Sequence, residues 1–134
     1  MTPTETVLEF ISAINERHVD KIVGMMTPDH KFTDSLGNEI PSRRAMRDAW
    51  LGYLEMVPDY VIEVEEIVEM GTTVVAVGKA SGTYSPDGCL DPRNRWSMNA
   101  AWRATVMGDR IHRWQVYADN QQLRWLMRRH CTEE

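Results

Sequence analysis

The clearest pattern in this chain lies in YVIEVEEIVEMGTTVVAVGKASGTY, residues 60–84. Apolar and polar residues alternate on both sides of Gly71-Thr72, and period-two alternation around a glycine turn is typical of a β-hairpin. The alternation returns in WSMNAAWRATV (96–106) and RIHRWQVYAD (110–119), which Met107-Gly108-Asp109 joins as a tight turn. This half of the chain therefore predicts an antiparallel meander.

Helical patterns lie on both sides of the meander. Thr2-Pro3-Thr4-Glu5 predicts a helix start with a capping box, and a second short helix is expected from Val19, ended by Pro28. Ser42 is a suitable cap for a third helix, and Gly37-Asn38 predicts a turn before it. The apolar stripes are Val7, Phe10, Ile11 and Ile14 in the first helix, Met46, Ala49, Trp50, Tyr53, Leu54 and Val57 in the third, and Leu123, Leu126 and Met127 in a last helix.

This segregation of helices and strands predicts an α+β domain. We expect a curved antiparallel or mixed sheet wrapped round the N-terminal helices, cone-shaped with a central cavity, plus a C-terminal helix. The length indicates a single domain over residues 1–134. A cavity between sheet and helices is the default place for a small ligand.

Composition and motifs exclude several functions. A net charge of −5 argues against nucleic-acid binding, and no apolar run reaches the roughly 20 residues needed to cross a bilayer. MTPTETVLEF lacks the pattern of a signal peptide, so a cytoplasmic location is expected. Cys89 and Cys131 do not resemble a disulfide framework or a metal-ligand pair, and His18, His30, His112 and His130 are scattered. We expect no metal and no cofactor.

Three segments resemble those of a known superfamily: VPDYVIEVEEIV (57–68), SGTYSPDG (81–88) and GDRIHRWQVYADNQQLRWLM (108–127). In this order they are similar to the cone-shaped superfamily of nuclear transport factor two, ketosteroid isomerase and SnoaL-like polyketide cyclases. The resemblance implies the cone fold over nearly the whole chain. It leaves the activity open, because the superfamily holds isomerases, cyclases, hydrolases, dehydratases and binding proteins.

The resemblance implies two candidate catalytic carboxylates. FTDSLG occupies the place of the general base of ketosteroid isomerases, which gives that role to Asp34, and WQVYAD occupies the place of the catalytic aspartate of SnoaL-like cyclases, which points to Asp119. The partner groups of the specialised enzymes are missing. The first helix offers Phe10, Ile11 and Ile14 in place of an oxyanion-hole tyrosine, a later strand has Ala100-Ala101-Trp102 in place of a second aspartate, and Lys79-Ala80-Ser81 replaces the Arg-x-Asp pair of epoxide hydrolases.

Asp34 has two interpretations from the residues alone. His30, Phe32 and Asp34 share one side of a short strand, while Lys31, Thr33 and Ser35 share the other. An aspartate in an apolar pocket has its pKa raised and becomes a better proton acceptor. An aspartate before Leu36-Gly37-Asn38 also caps a turn through its own backbone.

Asp119 has the same two kinds of interpretation. Asp119 followed by Gln122 fits an N-cap and capping box for the last helix. Along the preceding strand Gln115, Tyr117 and Asp119 share a face that we interpret as a pocket floor, whereas the face of Trp114 is interpreted as plain packing. An aspartate can cap a helix and still reach a pocket, so both interpretations stand.

The remaining candidates would bind the substrate. Phe10 and Trp50 are predicted on the inward faces of their helices, and Tyr53 is either a core residue or a hydrogen-bond donor in the pocket. Asn99 would polarise a carbonyl or lie on a solvated face. The strand face of Trp96 to Ala104 is interpreted as core or dimer surface.

These observations predict an enzyme that needs no cofactor and acts on a small apolar molecule. Asp34 or Asp119 would move a proton in isomerisation, cyclisation or hydration next to a carbonyl, with His30, Tyr53, Gln115 and Tyr117 orienting the substrate or assisting. The alternatives are a non-catalytic ligand-binding domain, a dimeric interaction domain and a protein–protein adaptor. A homodimer through the sheet is expected, because a sheet face with several tryptophans is costly to expose.

Overall fold

A computed structural model describes the backbone of residues 1–133 and the side chains of residues 1–129, so the side chains of His130 and Cys131 lie outside the described residues. The elements are α1 (Pro3–Asn15), α2 (Val19–Gly24), β1 (Met26–Thr33), β2 (Glu39–Ile40), α3 (Arg43–Met56), β3 (Val61–Met70), β4 (Thr73–Thr83), β5 (Arg95–Met107), β6 (Arg110–Ala118) and α4 (Gln121–Glu133). The predicted α+β class is confirmed. In this described range no helix is long and apolar enough to cross a membrane.

The six strands form one mixed sheet in the order β2-β1-β6-β5-β4-β3. Strands β3 to β6 pair antiparallel with their neighbours in sequence, which confirms the meander. Strand β1 pairs parallel with β6, so the first strand lies beside the last. Helix α1 packs across β3 to β6 and α3 packs on β1, and the sheet does not close into a barrel. This is the predicted cone.

The local signals at the helix starts are confirmed. The Thr2 hydroxyl accepts a hydrogen bond from the Glu5 N–H at 3.1 Å, and the Glu5 carboxylate accepts one from the Thr2 N–H at 3.1 Å, which completes the capping box. The Ser42 hydroxyl accepts a bond from the Ala45 N–H at 3.1 Å. Both helices therefore begin where the sequence indicates.

Irregular pairing bends the sheet around the helices. The register of β3 against β4 shifts between Val64 and Glu66, and β-bulges of this kind increase the local twist. Gly78 lies opposite the shift, and a side chain at this position would run into the backbone carbonyl of Glu63. The bulge and the glycine together let β3 and β4 approach closely where the sheet curves.

The boundary of the second helix differs from the prediction. Helix α2 ends at Gly24, and Met26 and Pro28 belong to β1 instead. The pairing of β1 with β6 is irregular between Met26 and Lys31, and proline is tolerated in a strand at such a bulge because it has no N–H to donate. The helical spacing therefore holds for Val19, Ile22 and Val23, and only Met26 belongs to the strand.

A bulge in β6 puts Ile111 and Trp114 on the same face of that strand. Thr105 of β5 pairs with Arg113, but the next residue, Val106, pairs with Ile111, so His112 is an extra residue in the ladder. Ile111 and Trp114 are consequently both buried, at 0% and 2% exposed. From Arg113 to Ala118 the predicted alternation holds, but the face of Trp114 turns inward, so the interpretation of the Gln115 and Tyr117 face as a pocket floor was wrong.

The tryptophans of the sheet lie inside the cone. Trp96, Trp102 and Trp114 are 1%, 1% and 2% exposed. The face that we interpreted as core or dimer surface is therefore core. The stated reason for a homodimer, a wet sheet face rich in tryptophan, does not hold, and the dimer itself stays a prediction.

Candidate functional site

The cone encloses a cavity of about 390 Å³ between the concave face of the sheet, α3 and the first two turns of α4. Its interior walls are aromatic and aliphatic. They include Phe32, Met46, Trp50, Tyr53, Tyr60, Trp96, Met98, Trp102, Trp114, Val116, Leu123 and Met127. The volume falls within the range of small-molecule sites in proteins, and such sites are mostly apolar with a few polar groups.

A cluster of aromatic rings forms the wall beside α3. Tyr53 lies edge-on to Trp50 and Tyr60, with ring centroids 6.2 Å and 5.1 Å away, and Tyr60 lies 6.1 Å from Trp96. Burial raises the pKa of the Tyr53 and Tyr60 phenols above their ordinary value. Both hydroxyls therefore stay protonated near neutral pH. Tyr53 and Trp50, which were predicted to bind the substrate, both lie at the cavity wall.

Asp34 lies at the mouth of the cavity and also organises a turn. Its Oδ1 accepts hydrogen bonds from the N–H groups of Leu36 and Asn38, each at 2.9 Å, and its Oδ2 accepts one from the Asn38 side-chain amide at 3.3 Å. Asp34 is half-buried and is one of the lining residues. The turn interpretation is confirmed, and the turn holds the carboxylate at the edge of an apolar space. The role of Asp34 as a base stays a prediction.

The other polar groups of the mouth come from the loop after β1 and from the start of α4. They are Ser35, Asn120 and Arg124. Strands β1 and β6 are parallel neighbours, so their carboxyl ends lie at the same end of the sheet. The segments that follow the two strands therefore bring Asp34, Ser35, Asn120 and Arg124 to one end of the cavity.

His30 lies in the core and not among the lining residues. It is 0% exposed, and its Nδ1 hydrogen-bonds to the carbonyl of Ile111 at 2.8 Å across the irregular pairing of β1 and β6. Burial lowers the pKa of the imidazole, so the ring is neutral near pH 7 and Nδ1 carries the proton that it donates. This position gives His30 a structural contact instead of a direct contact with a ligand in the cavity.

Asp119 and Asn99 lie together, but outside the cavity. Both border a shallow depression on the surface, with Ser97, Gln121, Gln122 and Trp125. The Asp119 carboxylate accepts a hydrogen bond from the Gln121 N–H at 3.0 Å. The predicted capping box does not form, because the Gln122 side chain accepts a bond from the Ser97 N–H instead, at 3.3 Å.

The last three predicted residues also lie outside the cavity. Gln115 accepts a hydrogen bond from Arg103 at 3.4 Å, and Tyr117 is 48% exposed. Both alternate with the lining residues Val116 and Ala118, so they lie on the outer face of the sheet. Phe10 is fully buried and packs edge-on against Trp114 at 4.9 Å, behind the cavity wall.

Sequence reasoning missed Arg124 and Asn120. Arg124 follows Leu123 directly and lies three residues before Met127, so helical spacing puts it at the edge of the apolar stripe of α4. That position was the sequence signal from which Arg124 could have been predicted as a site residue.

Among the described side chains, no group of three or more His, Cys, Asp or Glu residues is arranged to hold a metal ion.

The curved sheet with helices on one face is the cone fold of nuclear transport factor two-like proteins. Within it, the chain belongs to the SnoaL-like domain family, whose model matches residues 7–114. No curated protein matches the sequence.

Solved structures of the same fold are distant in sequence. A candidate SnoaL-like polyketide cyclase from Shewanella putrefaciens CN-32 is 14% identical, with 95% of this chain and 96% of that chain covered and a TM-score of 0.80. IdmH, a candidate polyketide cyclase from Streptomyces antibioticus, is 20% identical, with 95% and 99% covered and a TM-score of 0.78. A protein of ketosteroid isomerase-like fold from Catenulispora acidiphila is 14% identical, with 84% of each chain covered and a TM-score of 0.73.

Proposed function

We propose that this protein binds a small, mostly apolar molecule with a carbonyl group in the cavity and moves a proton next to that carbonyl, with Asp34 as the base. The observation that carries the proposal is an aromatic cavity of about 390 Å³ in which, among the described residues, Asp34 is the carboxylate of the lining. The SnoaL-like family and the candidate polyketide cyclases of the same fold support it.

The chemistry needs one group that takes a proton and gives it back. The Asp34 carboxylate removes a proton from the carbon next to the carbonyl, the C–H electron pair forms an enolate, and the proton then returns to the same carbon or to another one. Isomerisation consists of this transfer, and an aldol cyclisation begins with it, but there the enolate carbon attacks a second carbonyl of the substrate and the proton passes to the alkoxide that forms. In the hydration of an enone, Asp34 takes the proton from the attacking water, the same kind of enolate forms, and the proton then goes to the carbon next to the carbonyl. A carboxylate held at an apolar space is suited to these transfers, because the bound substrate excludes water from the reacting atoms.

A non-catalytic ligand carrier is the second candidate, and one observation favours it. Three hydrogen bonds from its own turn engage the Asp34 carboxylate, which is how an aspartate with a purely structural role is held. A carrier needs the cavity but no proton transfer. Binding and proton exchange therefore have to be measured separately.

Binding is tested with 1-tetralone, a small aromatic ketone, and intrinsic tryptophan fluorescence. Ala100 lines the cavity, whereas Ala101 is the next residue of β5 and lies on the opposite face. We expect saturable quenching in the wild type. Ala100→Phe fills part of the cavity and should weaken binding about tenfold.

Ala101→Phe is the matched control, with the same substitution one residue away. It should bind 1-tetralone as the wild type does. Equal binding by both variants, or no saturable quenching in the wild type, would contradict the cavity as the binding site.

A further inference from the structure

Arg124 lies at the mouth of the cavity, and among the described side chains its guanidinium has no acceptor. Its backbone N–H continues α4 by donating to the Asn120 carbonyl at 3.0 Å, and the residue is exposed and borders the cavity. Within residues 1–129, no ion pair or side-chain hydrogen bond engages it. Several other arginines are engaged, as Arg95 is by Asp59 at 3.2 Å, and what distinguishes Arg124 from the surface arginines is its place at the cavity mouth.

Arg124 and Asp34 place opposite charges at the same end of the cavity. Asp34 follows β1 and Arg124 follows β6, and these strands are parallel neighbours, so both charged groups lie at one end of the cavity. They do not form an ion pair with each other in the described structure. A bound molecule would therefore meet a carboxylate and a cation at the end where it leaves the aromatic interior.

We propose that Arg124 is a catalytic residue, which binds the carbonyl oxygen of the substrate and stabilises the enolate oxygen when Asp34 removes the neighbouring proton. This inference rests on the proposed function. The charge that develops on oxygen is balanced by the guanidinium, and the proton resides on Asp34 until it returns to carbon. Hydrogen bonds in which one partner is charged are the stronger ones, and a donor aimed at developing charge lowers the barrier.

The proposal also accounts for the groups that the chain lacks. The sequence has no tyrosine on α1 and no second aspartate on β5 to form the oxyanion hole of the isomerases, since those places hold Phe10 and Ala100. Arg124 supplies a donor from a different element, the C-terminal helix. The substrate class that follows is a flat aromatic ketone whose apolar body fills the interior and whose carbonyl lies at the mouth.

The test uses 7-hydroxycoumarin, a flat aromatic probe whose phenol and phenolate fluoresce differently. Its phenolate resembles an enolate in charge and shape. We expect the wild type to bind the phenolate about tenfold more tightly than Arg124→Met does, and to lower the pKa of the bound phenol. Binding of neutral 1-tetralone should change much less in that variant.

Arg128→Met is the matched control, because Arg128 lies one turn further along α4 and is not part of the lining. It should keep the preference of the wild type for the phenolate. The inference is overturned if Arg124→Met binds phenolate and phenol in the same ratio as the wild type. A wild type that binds neither 1-tetralone nor the coumarin would overturn the proposed function, which separates the two failures.

Discussion

Replacing His30 with alanine is expected to lower the free energy of unfolding by about 3 kcal/mol, because it removes a fully buried ring and a buried hydrogen bond together. The ring is 0% exposed and fills the core where β1 pairs irregularly with β6. Its Nδ1 donates a hydrogen bond to the Ile111 carbonyl at 2.8 Å. Urea unfolding followed by tryptophan fluorescence measures the change. His112→Ala, at a half-buried residue of the neighbouring bulge between β5 and β6, should cost much less.

The same residue gives the stability a pH dependence. Burial lowers the pKa of His30 in the folded state, with Asp29 and His112 as the nearest titrating groups, so below the unfolded value of about 6.5 the unfolded chain binds more protons. Stability should therefore fall as the pH drops from 7.5 to 5.5. His30→Asn keeps a donor but does not titrate, and its stability should stay level over this window. An equal fall in both proteins would contradict the assignment.

Asp34→Asn is expected to reduce proton exchange at the carbon next to the carbonyl of 1-tetralone by about 100-fold or more, since it removes the base. Exchange is followed by proton NMR in D₂O with the ligand at saturation. Asparagine retains a side-chain oxygen for the Leu36 and Asn38 N–H groups, so the turn and the affinity for 1-tetralone should be preserved. The effect then lies in the rate and not in the binding.

Asp119→Asn provides the control for this substitution. Asp119 borders the outer depression and caps the start of α4, so its variant should exchange at the rate of the wild type. Retention of full exchange in Asp34→Asn would remove the acid/base proposal and leave the ligand carrier. Loss of exchange in Asp119→Asn alone would move the chemistry to the other side of the sheet.

The parts of the fold that were predictable are those set by local sequence. Thr2 and Ser42 start helices through bonds that reach only three residues along the chain. The hairpin around Gly71 follows from period-two alternation and a residue at positive φ. These signals do not depend on distant parts of the chain, and they were sufficient for the α+β class and the meander.

The site was harder to predict because it depends on pairing between distant strands. The parallel contact of β1 with β6 joins segments about 80 residues apart and brings the loop of Asp34 to the start of α4. The bulge at His112, in the pairing of β6 with β5, puts Ile111 on the inward face of Trp114. Arg124 was missed for the same reason, since a charged residue at the edge of an apolar stripe gains a role only when the stripe covers a cavity.

A crystal structure with bound 1-tetralone would show directly whether the substrate carbonyl lies beside Asp34. We expect the ring system among Trp50, Tyr53 and Trp102, with the carbonyl at the mouth and the neighbouring carbon within about 3.5 Å of an Asp34 carboxylate oxygen. A ligand that binds in the outer depression beside Asp119, or one whose carbonyl points into the aromatic interior away from Asp34, would contradict this prediction.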